Sequence, residues 1–176
     1  MANSIVNVPE VINNYNVYNT GNILVGITGA VTLPSLEAIT EEIQGAGILG
    51  TYETAIPGHF GSMAQEVPFR ILYSDIFSIM NPNELVDLTF RSSSQYTVKE
   101  TGALGYEQVR IAERGRLKSF NPGSLELGKA MNASVTLELM YLLIEIAGET
   151  KLEYDKLNCV FTVDGVDLLE KVRSYC

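Results

Sequence analysis

Cations are scarce in this chain. Its 176 residues carry 12 Lys and Arg against 21 Asp and Glu, a formal net charge of −9. Nucleic-acid affinity comes mainly from cations meeting phosphates, so this balance argues against a general nucleic-acid binder. It fits a soluble surface, and equally a surface that must not adhere to nucleic acid. Cysteine is nearly missing, and Cys159 and Cys176 make no disulfide framework. Cys159 falls on the apolar phase of its segment and reads as a small buried hydrophobe; Cys176 is the last residue and reads as a free thiol. Histidine occurs once, as His59, so a zinc site lacks ligands and no metal or cofactor is expected. Ser62 is close to His59 in sequence, but nothing supplies a third oriented group, and the acidic residues are too scattered to single out an acid–base pair. No catalytic residue is expected, and a hydrolase built around His59 is a remote rival reading. Long apolar runs are missing too: Glu138 and Glu145 interrupt the most apolar region, so no segment reads as a bilayer span. Met1-Ala2-Asn3-Ser4 lacks the basic start and apolar core of a signal peptide, so synthesis in the cytosol is expected.

What is present reads as β structure. A hydrophobic content of 46% and this length suit one domain, residues 1–176, with a core of its own. Residues 1–12 show no clear period and read as a loose or extended N-terminal segment. Residues 13–22 hold five Asn with Tyr15 and Tyr18 and end in the turn signal Asn19-Thr20-Gly21-Asn22. Asn-rich segments with tyrosine can recognise glycans, which makes a glycan-binding β-sandwich the alternative function; two tyrosines packed beside a turn is the plainer reading. Residues 23–33 read as a strand eased by Gly26 and Gly29. Residues 36–44 conflict: Leu36, Ile39 and Ile43 have helical spacing, and the acidic residues between them favour helix. Residues 51–56 and 63–73 read as strands around a loop at 57–62.

Gly45-Ala46-Gly47-Ile48-Leu49-Gly50 formally matches a dinucleotide-binding fingerprint. That fingerprint works only where a helix opens from it toward the pyrophosphate. Here the β-branched stretch from Thr51 and then Pro57 follow, so the glycines read as a flexible hairpin tip. Residues 74–80 read as a short helix capped by Ser74, with Ile76, Ile79 and Met80 on its apolar side. Val86, Leu88 and Phe90 begin a strand over 84–98, and a turn at 102–105 leads to another over 106–119. Arg110, Arg114, Arg116 and Lys118 share one face of it by period-two spacing. They form either a docking stripe for an acidic partner subunit or a solvated outer face. Asn121-Pro122-Gly123 is a turn, and Asn132-Ala133-Ser134 matches a glycosylation acceptor that has no meaning without secretion. Residues 164–174 read as a closing helix capped by Asp164, with Leu168, Leu169 and Val172 packed inward.

The stretch that organises the chain is residues 133–163, which reads as one long hairpin. Its arms are 133–147 and 150–163, joined by Gly148-Glu149 as a type II′ turn. Val135, Leu137, Leu139 and Tyr141 alternate with polar residues, but Tyr141, Leu142, Leu143 and Ile144 are apolar on both faces. Something must cover the second face, and a neighbouring subunit is the expected cover. In the return arm the apolar phase slips near Asp155–Lys156, implying a bulge or a change of neighbour.

These residues carry a family resemblance. Val135-Thr136-Leu137-Glu138-Leu139-Met140-Tyr141, Ile146-Ala147-Gly148-Glu149, Tyr154-Asp155 and Val163-Asp164-Gly165-Val166-Asp167-Leu168-Leu169 resemble the C-terminal half of the major tail tube proteins of contractile phage tails, which also build the tubes of R-type tailocins. The likeness returns in Tyr15–Gly21, in Val31-Thr32-Leu33-Pro34, and in the glycines at 45–50 followed by Gly58-His59-Phe60-Gly61; it is weakest over 73–105. It implies a strand at 36–44. The expected fold class is a mostly β, single-domain β-sandwich or barrel of antiparallel strands with one short inserted helix and a short C-terminal helix. The resemblance further implies a structural protein, not an enzyme, whose six-fold rings stack into a hollow tube inside a sheath, in a virion tail or tailocin assembled in the bacterial host cytoplasm. The implied partners are further copies of the chain, the sheath protein, and baseplate and terminator proteins, with DNA only as passing cargo. Assembly candidates are Gly45, Gly47, Gly50, Tyr141, Leu142, Leu143 and Ile144; acidic lumen candidates are Glu37, Glu41, Glu42 and Glu53.

Overall fold

The computed structural model describes residues 7–176. Its elements in chain order are β1 (Asn7–Asn19), β2 (Asn22–Leu24), β3 (Ala38–Ile43), β4 (Tyr52–Phe60), β5 (Ala64–Phe69), a 3-10 helix (Ser74–Ile79), β6 (Val86–Val98), β7 (Leu104–Asn121), β8 (Ala133–Ile146), β9 (Glu149–Asp155), β10 (Val160–Val163), β11 (Val166–Asp167) and α1 (Glu170–Tyr175). Nine strands form one sheet in the order β11-β10-β9-β8-β7-β6-β1-β2, with β5 also on β8; β3 and β4 pair only with each other. All pairings are antiparallel, and among the described residues the sheet is open rather than a closed barrel.

Alternation sets the core face. Val86, Leu88 and Phe90 are buried while Asp87, Thr89 and Arg91 take the other side. Val17 lies opposite Phe90, and Leu137 lies opposite Leu117. Met63, Val67 and Phe69 from β5 and its approach, with Ile76 and Ile79 from the 3-10 helix, complete the core.

One bulge explains the two-sided apolar run. Arg114 pairs with Tyr141 and Gly115 with Leu139, so Met140 is an extra residue on β8. Before it, Val135, Leu137 and Leu139 face the core; after it, the phase flips and Leu142 does. The sheet also forks at Met140. One edge of β8 is lined by β5 over Ala133–Glu138 and by β9 over Tyr141–Ile146. Backbone groups at the fork are satisfied by Met63, whose carbonyl accepts from the Leu139 N–H at 2.8 Å, and by Lys156, whose N–H donates to the Met140 carbonyl at 2.9 Å.

The fork corrects the long hairpin. Its first arm holds, but the return arm ends at Asp155. The Asp155 carboxylate accepts from the Leu157 and Asn158 N–H groups, and the chain reverses through Cys159 (φ 53°) into β10, which pairs with β9. The phase slip is therefore a change of direction. Cys159 is exposed in that turn, not buried; Cys176 is also a free, exposed thiol. The β8–β9 turn is Ala147-Gly148, with φ of 52° and 82°; two positive values make it type I′, not type II′ with Gly148 leading.

Other boundaries move as well. Residues 7–12, read as loose or extended, are extended: they are part of β1 and pair with β6, while residues 1–6 lie outside the described range. The strand expected at 23–33 stops at Leu24. The strand that the resemblance implied at 36–44 is present as Ala38–Ile43, against the helical spacing of its apolar residues. β4 runs through Pro57 to Phe60, with its irregular register beside Ile39 where a loop was expected. Ser74 makes no capping hydrogen bond to the 3-10 helix. Asp164 sits in the β10–β11 turn rather than at the start of α1, and of the three apolar residues expected to pack inward only Leu169 is buried.

Candidate assembly surfaces

The first candidate surface is the overhang of the long strands. β2 covers β1 only at Val17–Asn19, so the far edge of β1 has no neighbour over the rest of its length among the described residues. Val8, Val11 and Ile12 are 50%, 57% and 66% exposed there, and Leu104 and Tyr106 of β7 are exposed at the same end of the sheet. An apolar, unpaired edge invites another strand. Sequence reading missed it, because register shifts at Pro9/Val11 and Ile12/Asn14 break the period-two signal.

The second is the β3–β4 hairpin. Cross-strand pairs put Ile43 and Tyr52 on one face with Glu41 and Thr54, and Thr40, Glu42, Glu53 and Ala55 on the other. Ile39 and Tyr52 are exposed, as are Ile48 and Leu49 at the tip. Gly47 and Gly50 take positive φ in the connection and Gly45 lies in open space, so the glycine run is a hairpin tip with no helix opening from it. Of the acidic candidates, Glu42 and Glu53 stand directly opposite each other, with Thr40 Oγ1 donating to Glu53 at 3.3 Å. Glu41 lies on the other face, and Glu37 precedes β3. The first 69 residues contain no Lys or Arg, so no cation from that stretch relieves the pair.

The third is the apolar stretch of β8, which divides between the faces. Leu142 is buried against its own subunit, between Glu113 of β7 and Tyr154 of β9. Ile144, its phase-mate, is partly covered opposite Ile111. Tyr141 and Leu143 take the other face. There Tyr141 lies under the Arg114 guanidinium at 4.9 Å and donates its hydroxyl to Glu153. Burial first, then the Glu153 hydrogen bond and charge, push its phenol up to about 12. A second cover from outside is therefore available to Tyr141 and Leu143, not to Leu142.

The basic stripe does lie on the face away from the core, but its cations are already engaged. Arg110 pairs with Glu145 at 2.8 Å, Arg114 with Asp87 at 3.1 Å, and Lys118 with Glu138 at 2.8 Å. Arg116 alone of the four has no ion pair among the described residues. Glu138 also accepts from Ser62 Oγ at 2.6 Å and the Met63 N–H at 3.1 Å. Burial would raise its carboxyl, but Lys118, Ser62 and Met63 together outweigh that and hold it below the usual range. Ser62 is thus committed to Glu138 and Lys118 and makes no hydrogen bond to His59.

The chain thus presents an open, long-stranded sheet with uncovered edges and an exposed two-stranded hairpin, and comparison with known proteins gives its family. The family model for phage tail tube protein FII matches residues 9–175. The chain belongs to that family. A tail tube protein of Escherichia phage P2 is 25% identical over 159 residues, covering 90% of this chain and 91% of that protein. Among solved structures, the sheath/tube terminator of an extracellular contractile injection system in its extended state superposes with a TM-score of 0.54 at 13% identity. The match covers 78% of this chain and 96% of the other, a likeness of fold. The tail tube family is structural, and this tail tube protein carries its β-rich fold through antiparallel pairing with few and short helices.

Proposed function

We propose that this tail tube protein assembles into six-membered rings which stack into the inner conduit of a contractile phage tail or tailocin, each chain acting as a single domain. The observation that carries this is the overhang: β1, β6 and β7 extend beyond the subunit's own core with apolar residues and a free edge at their ends. Ring closure by neighbouring copies removes such edges, which no monomer of this shape can do alone. Tyr141 and Leu143, and the hairpin tip at Gly45, Gly47 and Gly50, serve as further contacts between copies.

Glu42 and Glu53, with Glu37 and Glu41 beside them, supply negative charge to the channel wall, so that DNA, where it is the cargo, passes without adhering. Arg116 is the member of the basic stripe free to meet an acidic neighbour such as the sheath; terminator and baseplate proteins meet the two ends of the tube. The working site is the tail of the particle, with assembly in the host cytoplasm.

The test is direct. The purified chain should form rods of constant width in negative stain. Ile12→Lys should abolish the rods and leave a monomer with an unchanged β-type circular dichroism spectrum. Normal rods from Ile12→Lys would remove the β1 edge from the assembly, and a wild-type chain that stays monomeric at every concentration would overturn the tube reading.

A further inference from the structure

Glu113 lies midway along β7, opposite Leu88 of β6 on one side and Leu142 of β8 on the other. Both neighbours are buried, and Glu113 itself has 0% of its surface exposed. Neither of its carboxylate oxygens has a hydrogen-bond partner among the described residues. Its phase-mates on β7 are Ile111 and Gly115, and the flanking core-face residues of the adjoining strands are Val86, Phe90, Leu139 and Ile144. None of these carries charge. The nearest charged residues in the sequence register, Asp87 and Arg114, pair with each other on the opposite face of the sheet. Arg110 is on that opposite face as well, held by Glu145. The titratable groups of the core are the phenols of Tyr15, Tyr73 and Tyr154, each raised by burial and so neutral across the ordinary pH range. Asp75, on the 3-10 helix packed over this core, is exposed.

An ionised carboxylate in this position would lose its hydration with nothing to replace it. The arrangement is stable only with the acid protonated. We propose that Glu113 is a pH-sensitive element of the subunit core: neutral in the folded chain, it couples loss of its proton to loosening of the β6–β7–β8 layer, so that the subunit weakens as the solution turns alkaline. The inference is independent of the tube reading, since it concerns the core of one chain.

The direction follows from where the proton is held. Burial pushes the carboxyl up from 4.5 to about 8. Below the lower value both folded and unfolded chains keep the proton, and Glu113 has no effect on stability. Between the two values the unfolded chain releases the proton while the folded chain retains it, so stability falls as pH rises. The folded-to-unfolded ratio should drop by roughly a thousand-fold across that interval from this one group. Glu138 acts in the opposite sense, because its lowered carboxyl loses stability as pH falls.

The experiment uses the full chain at concentrations where it is monomeric, with urea midpoints measured from about pH 5 to about pH 8. Wild type should weaken steadily over that range, whereas Glu113→Gln should show a clearly shallower slope. Equal slopes in the two proteins overturn the proposal. Because Glu113→Gln keeps an unpartnered polar group and can fail to fold, wild type labelled with 13C at glutamate carboxyls provides a second readout. One carboxyl should titrate near pH 8, roughly three to four units above the ordinary glutamates, and its resonance should vanish in Glu113→Leu. A spectrum in which every glutamate titrates in the ordinary range overturns the proposal irrespective of the variants.

Discussion

Ala147 holds a left-handed conformation that its Cβ resists, at the first central position of a type I′ turn. Asparagine tolerates that conformation and is favoured before glycine in such turns. Ala147→Asn should therefore raise stability by about 0.5–1 kcal/mol in urea denaturation, an increment read at the level of a single φ angle. A neutral or lower midpoint would show that the turn adapts to alanine without strain. Glu138 offers the complementary test by pH. Its lowered carboxyl means its contribution is present above the unfolded value of 4.5 and is lost as pH falls through the folded one. Glu138→Gln should lower stability by roughly 1 kcal/mol at neutral pH and flatten the acid limb of the stability profile. An acid limb unchanged in the variant would assign that limb to other carboxylates. Cys159 shows where residue-level reading stops: its apolar neighbours in sequence are real, but the Asp155 turn lifts it to the surface.

Among the elements, β8 decides the architecture, and its bulge depends on Gly115. A Cβ at Gly115 would lie 2.5 Å from the Glu138 carbonyl oxygen, so the backbones of β7 and β8 approach there as only glycine permits. Gly115→Ala should cost about 1–3 kcal/mol in thermal or urea unfolding; full stability would mean the bulge relocates freely. The same bulge sorts two leucines that are adjacent in sequence. Leu142→Asp should prevent folding, seen as loss of the β-type spectrum, whereas Leu143→Asp should leave the spectrum intact and reduce rods. If Leu142→Asp folds normally, its burial within the subunit is refuted. Alternation alone made the β6 and β8 strands legible, and the Thr20-Gly21 turn was plain from its residues. The long return arm was misread because periodicity gives a strand's phase but not its direction, and a four-residue reversal at 156–159 looks like a slip. The candidate site was legible in composition more than in geometry: the glycine tip and the acidic hairpin were named, but the facing of Glu42 on Glu53 needs register.

For the whole molecule, charge and exposure are divided along the chain. The first 69 residues carry six acids and no Lys or Arg, and they include both the free edge of β1 and the β3–β4 hairpin, exposed over most of its length. In the free subunit the base of the hairpin is held, with the Tyr154 hydroxyl donating to the Gly58 carbonyl at 3.0 Å and Phe60 packed on Tyr154 and Phe161, but the part nearer the tip has only its own two strands, a length and number marginal in water. Its amides should exchange with solvent far faster than those of β7 and β8, by at least about a hundred-fold, and slow markedly on assembly. Protection of the hairpin in isolated monomer equal to that of β8 would mean that the hairpin is held by its own subunit.

Four strands of 13 to 18 residues run antiparallel in the succession β8-β7-β6-β1. Traction along these strands loads many rungs of each ladder together, in shear, while traction across them opens rungs one after another like a zipper. Because β8 is gripped by β7 on one side and by β5 and β9 in tandem on the other, a pull along its length cannot peel either end first. The subunit is thus anisotropic to force: stiff in the strand direction and comparatively weak at right angles to it. A tube built from such parts would direct its toughness according to how the strands lie against its axis, a quantity that single-molecule pulling from different attachment points can measure.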